Sequence, residues 1–109
     1  MLEFHHNNLM QNKFKYLNLK LYYGDSMVKA KELIGKTIVS EESGRKFGIV
    51  GDVNFITESG ELMNIVIAEP TKQASELKLS EDEKGRLLVP FSAVKSVGDF
   101  IIIAEKDIV

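Results

Sequence analysis

The sequence predicts an all-β fold, a small barrel of five to six short antiparallel strands led by a short helical turn. Three observations predict it. Short runs rich in Val, Ile and Phe alternate at close intervals with polar, glycine-bearing segments, the pattern of consecutive short strands joined by turns. The run 87–103 (LLVPFSAVKSVGDFIII) strings two or three such strands around a tight corner. Gly48 and Gly51 fall inside the apolar run 47–57, where glycine marks the bulge or sharp bend that a small closed sheet needs at its corners.

Taken in order, residues 28–33 (VKAKEL) have the composition of a short helical turn, stopped by Gly35 and expected to plug one end of the barrel. Thr37–Ser40 is β-branched, and residues 41–46 (EESGRK) are turn material in which Gly44 supplies positive φ. In residues 47–57, Phe47, Ile49, Gly51, Val53 and Phe55 alternate with Gly48, Val50, Asp52, Asn54 and Ile56; the first set is assigned to the core. Asp52 is read as a hydrogen-bonding partner of a neighbouring turn. A turn at residues 58–61 leads into Leu62–Ala68, apolar on both faces apart from Asn64, and Pro70 ends that strand. Residues 71–85 are polar. Their Ala74, Leu77 and Leu79 are too few for an amphipathic helix, and a loop or hairpin is expected. Pro90 closes the next strand, residues 91–93 turn the corner, and Val94–Val97 pairs with residues 100–104 across Gly98 and Asp99. That Gly-Asp order reverses the common Asp-Gly of primed hairpin turns and leaves the turn type open.

Residues 1–26 have a different composition, holding both histidines and all three tyrosines. They are expected to be a disordered or non-native extension, with Met27 opening a single domain, 27–109. Gly24 and Asp25 back-translate to GGTGAT, a purine-rich ribosome-binding site just ahead of a methionine codon. Lys13, Lys15, Asn18 and Lys20 interrupt every apolar run of the extension, so it fits neither a signal peptide nor a spanning helix of about 20 apolar residues. No membrane insertion is expected. The alternation of Leu17, Leu19 and Leu21 with Asn18 and Lys20 nevertheless has strand period and would add a strand.

From Met27 onward there is no Cys, His, Trp or Tyr. No thiol or imidazole remains there for nucleophilic catalysis, for acid–base work near neutral pH or for a zinc site. The acidic groups Glu41 with Glu42, Glu81 with Asp82 and Glu83, and Glu105 with Asp107 lie in polar turns or near the end of the chain, where carboxylates keep ordinary acidity. The 81–83 run also lacks the spacing of a calcium loop. No catalytic residue, metal ligand or cofactor is therefore expected. Lack of cysteine fits a cytoplasmic protein, and a net charge of −2 offers no broad cationic surface for nucleic acid.

The strings KELIGKTIVS, then Gly44, FGIVGDV, and LLVPFSAVKSVGDFIII together resemble the PRC-barrel family, over residues 27–104. The resemblance is closest to its short stand-alone archaeal members, some of which are implicated in cell division as dimeric scaffolds. It implies a barrel that binds partners rather than one that catalyses. Gly35, Gly44, Gly48, Asp52, Pro90, Gly98 and Asp99 are fold residues in this pattern, with turn or bend roles. Members with a membrane helix, or with an added N-terminal barrel as in a ribosome maturation factor, have features for which this sequence shows no counterpart.

Small barrels fill their interior with one face of each strand. Leu62–Ala68 and residues 100–104 are apolar on both faces, so one set of each strand must be covered from outside. Met63, Ile65, Ile67, Ile101 and Ile103 are the interface candidates. The expected function is a homodimeric scaffold that recruits a further protein partner, with the cell-division machinery the sharper expectation. Ribosome or RNA association is the alternative, through Lys29, Lys31, Lys36, Arg45 and Lys46. Against it, Glu32, Glu41 and Glu42 interleave with these cations, and exposed stacking aromatics are lacking.

Overall fold

The computed structural model describes residues 20–23, 26–56 and 58–108; expectations for residues 1–19 lie outside them. The chain passes through β1 (Lys20–Tyr23), β2 (Ser26–Lys29), β3 (Thr37–Ser40), β4 (Lys46–Phe55), β5 (Leu62–Ala68), α1 (Lys72–Ser75), β6 (Ser80–Glu81), β7 (Leu87–Pro90), β8 (Val94–Val97) and β9 (Phe100–Ile103). Single 3₁₀ turns at Ala30–Glu32, Phe91–Ala93 and Glu105–Asp107 complete the path. β1 and β2 form a hairpin. The other seven strands form one sheet in the order β6-β7-β5-β4-β3-β9-β8.

Three features correct the expected architecture. Strands among the described residues number nine, not five to six, because β1, β2 and the two-residue rung β6 join the pattern. β3 and β9 run parallel, Thr37 opposite Phe100 and Ser40 opposite Ile103, so the ladder is not wholly antiparallel. The ladder ends at β6 and β8 without closing on itself.

β4 bends at its glycines. Gly48 has φ 143°, and a Cβ there would come within 2.6 Å of Ile67 Cγ2 and 2.9 Å of the Ala68 carbonyl oxygen. A Cβ on Gly51 would meet Ala68 Cβ at 2.8 Å. The ladder slips at both places: Ile38 faces Gly48 while Val39 faces Lys46, and Val50 faces Ile67 while Asp52 faces Val66. Each slip inserts one extra residue and turns the strand. Strict alternation consequently fails. Phe47, Val50, Val53 and Phe55 are buried, and Ile49, expected in the core, is only half-buried because it sits between the two slips.

The core gathers Leu33, Ile38, Phe47, Val50, Val53, Phe55, Ile65, Val89, Ile101 and Ile103, each no more than 1% exposed. Leu21 and Val28, opposite one another in the β1–β2 hairpin, belong to the same cluster. Met27 lies within β2, and Lys20–Tyr23 pairs with that strand as β1. The helical turn expected over 28–33 shrinks to Ala30–Glu32 because Val28 and Lys29 pair with β1.

The polar 71–85 segment forms the expected hairpin, preceded by a one-turn helix that its few apolar residues did not predict. Thr71 caps α1, accepting a hydrogen bond from the Ala74 amide and donating one to the Lys46 carbonyl; Ala74 is fully buried against the core. Beyond it, β6 pairs with β7 around a turn organised by Asp82, whose carboxylate accepts from the Lys84 and Arg86 amides and from Arg86 Nε.

Two outcomes check this packing by denaturant unfolding of the full chain. Leu21→Ala is expected to lower stability by about 2–4 kcal/mol, the usual cost of truncating a buried leucine. Gly48→Ala is expected to cost about 2–4 kcal/mol through strain and overlap, whereas Gly98→Ala, with open space around its Cβ position, should stay within about 0.5 kcal/mol.

Candidate interaction surface

Register decides which side of the sheet each side chain takes. Ile38 pairs with Ile101 and Ser40 with Ile103, and all four are buried, three of them fully. The alternate pairs, Thr37 with Phe100 and Val39 with Ile102, must then point outward. Thr37 also faces Ile49, and Ile49 faces Ala68. The result is a row, Phe100, Thr37, Ile49, Ala68, crossing β9, β3, β4 and β5 on the outer side. At about 4.8 Å per strand it spans roughly 14 Å. A second row, Ser96, Ile102, Val39 and Lys46, runs beside it. Phe100 is 52% exposed, and Thr37, Val39, Ile49, Ala68 and Ile102 are half-buried.

The interface candidates divide accordingly. Ile65, Ile67, Ile101 and Ile103 are 0–4% exposed within the single chain and belong to its core, so they are not available at a surface. Met63 does point outward, 50% exposed, at the place where the β4–β5 register skips it. The outward residues of β9 are Phe100 and Ile102, which the sequence reading missed. All four residues from Phe100 to Ile103 are apolar, so only pairing with β3 reveals the phase.

The fold residues lie at turns or bends. Gly35 and Gly44 have φ of 88° and 72°, the Gly35 amide bonding to the Val50 carbonyl at 2.7 Å. Asp52 Oδ1 accepts the Val53 amide at 2.9 Å beside the bulge, a bond within its own strand and not the one to a neighbouring turn that was expected. Pro90 leads into the 3₁₀ corner. Neither Gly98 nor Asp99 has positive φ, which excludes a primed turn. The tip is held instead by the Gly98 amide on the Phe100 carbonyl and by Lys36 Nζ on the Gly98 carbonyl, and this fixes Phe100 at the start of the outer row.

One polar network clasps the last 3₁₀ turn to the β3–β4 turn. Buried Ser40 Oγ donates to Glu105 Oε2 at 2.5 Å and accepts the Glu42 and Ser43 amides at 3.1 and 3.0 Å. Glu42 Oε1 in turn accepts the Glu105 amide at 2.9 Å. That bond from the Glu105 amide holds the Glu42 carboxyl below its ordinary acidity range. Lys95 and Asp107 pair at 2.6 Å, and the hydrogen bond from Lys95 lowers Asp107 likewise. Among the described residues, no group of three or more His, Cys, Asp or Glu is placed to hold a metal ion, and no helix is long and apolar enough to cross a membrane.

The described residues thus form a small, strongly bent β-sheet with a filled interior and a largely apolar outer row. The PRC-barrel domain family model matches residues 25–107, and the chain belongs to that family. A search of curated proteins finds no match.

The clasp has a pH signature. Both carboxyls are more acidic folded than unfolded, so their contribution is complete above the ordinary carboxylate range and is lost as pH falls through the lowered folded values. Thermal melts are expected to show Tm falling below about pH 4.5, with Glu42→Gln lowering Tm at pH 7 and flattening that acid decline.

Proposed function

We propose that the chain is a non-enzymatic, cytoplasmic protein–protein interaction module, a homodimeric scaffold that pairs through the outer face of β9, β3, β4 and β5. The observation that carries this reading is the row led by Phe100, half exposed on a face whose neighbours are apolar or small. Aromatic anchors in such a setting supply much of the binding energy at interfaces between proteins. A face presented by a single sheet can pack on its own copy about a two-fold axis, the commonest arrangement of soluble oligomers. The half-buried flanking residues have little side-chain freedom left to lose on association.

A role in cell division, like that of the stand-alone archaeal members the chain resembles, is the finer form of this proposal and is supported by the resemblance alone. RNA association gains no comparable support. Lys36 is engaged with the Gly98 carbonyl, and Arg45 and Lys46 are exposed next to Glu41 and Glu42.

Sedimentation of variants checks the assignment of the face. Phe100→Lys and Ile102→Lys are expected to weaken self-association at least about tenfold, as loss of an interface anchor does, with melting temperatures near that of the parent. Met63→Lys should leave it unchanged. An equal effect of all three, or of Met63→Lys alone, would move the interface elsewhere.

A further inference from the structure

At the opposite end of the sheet from Phe100, a cleft of about 250 Å³ opens over β5 and β7. Asn64 and Pro90, in register, form its floor with Leu88. The segment Lys78, Leu79, Ser80 makes one wall, and Ser92 with Asp107 and Ile108 makes the other. The volume is below the roughly 300–1,000 Å³ of sites for drug-sized molecules, so it suits a fragment or the end of a chain.

Its polar groups are nearly all free to donate. Asn54 Nδ2 already fills Asn64 Oδ1 at 2.6 Å, which leaves the Asn64 amide nitrogen to donate. Ser80 and Ser92 add hydroxyls. Of the two charged residues at the cleft, Asp107 is neutralised by Lys95 at 2.6 Å, while Lys78 forms no ion pair among the described residues. The remaining charge is a single ammonium. Leu79, Leu88, Pro90 and Ile108 provide an apolar lining alongside it.

From this juxtaposition we infer that the cleft binds an amphipathic monocarboxylate: a carboxyl group facing Lys78 and the Asn64 and serine donors, with an apolar tail along Leu88 and Ile108. One monovalent cation with neutral donors matches a monoanion better than a doubly charged, strongly hydrated phosphate. Two sources share the chemistry, a free aliphatic acid and the C-terminal carboxylate of a protein ending in an apolar residue. The inference does not depend on pairing through the Phe100 face, which shares only β5 with the cleft.

The test is a titration of the ¹⁵N-labelled full chain, followed by two-dimensional NMR, with hexanoate, hexan-1-ol, and an acetylated tripeptide ending in leucine as free acid and as amide. Hexanoate or the peptide acid is expected to shift the Asn64 side-chain amide and the Ser80 and Ser92 backbone amides saturably. The alcohol and the peptide amide should bind at least about fivefold more weakly, as loss of a charge-assisted hydrogen bond implies. Lys78→Gln, an exposed loop substitution, should erase that difference. Tighter binding of the peptide acid than of hexanoate would assign the site to protein tails, and the reverse order to free acids. Absence of saturable shifts, equal binding of acid and amide, or an unaffected preference in Lys78→Gln would each overturn the proposal.

Discussion

No side chain fits between β4 and β5 at Gly48 and Gly51, because Ile67 and Ala68 already occupy that space. The rest of the sheet depends on this close approach. It lets β4 slip its register twice while staying paired to β3 on one side and β5 on the other. A ten-residue strand can then bend around a core too small for a flat sheet to enclose. The slips also set which residues turn outward. Val50 goes in, Ile49 goes out, and the row from Phe100 to Ala68 follows from that phase.

Two non-local contacts lock this arrangement. The parallel pairing of β3 with β9 brings residues far apart in sequence side by side, a kind of contact that carries a loop-closure cost before it gives any stabilisation. The Ser40, Glu42 and Glu105 network reinforces it immediately beyond the strand ends. Ser40 uses its one donor and both acceptor sites there, so its burial in an otherwise apolar layer leaves no polar group unsatisfied. The same clasp positions Asp107 and Ile108 as a wall of the cleft over β7.

Much of the fold was legible in the sequence. The strands β3, β4, β5, β7, β8 and β9 follow their β-branched runs, and the bends fall at the two glycines inside β4. What escaped was decided by tertiary contact. Leu21 has the same period-2 setting as its neighbours, and only its seat in the core distinguishes a working strand from an appended tail. Antiparallel or parallel pairing of β9 leaves no trace in four consecutive apolar residues. For that reason Ile101 and Ile103 read as surface candidates, when Phe100 and Ile102 occupy the outer side. On β5, the skip at Met63 puts that residue out and keeps Ile65 and Ile67 in, a choice that depends on the partner strand's Phe55 and Asn54.

The proposed scaffold rests on pairing of two copies of the chain through the apolar outer face of β9, β3, β4 and β5. Solution mass by light scattering, measured on the full chain across a concentration series, addresses it most directly. A dimer that persists down to low micromolar concentration is expected. A monomer at every concentration, with Phe100 still exposed, would contradict it.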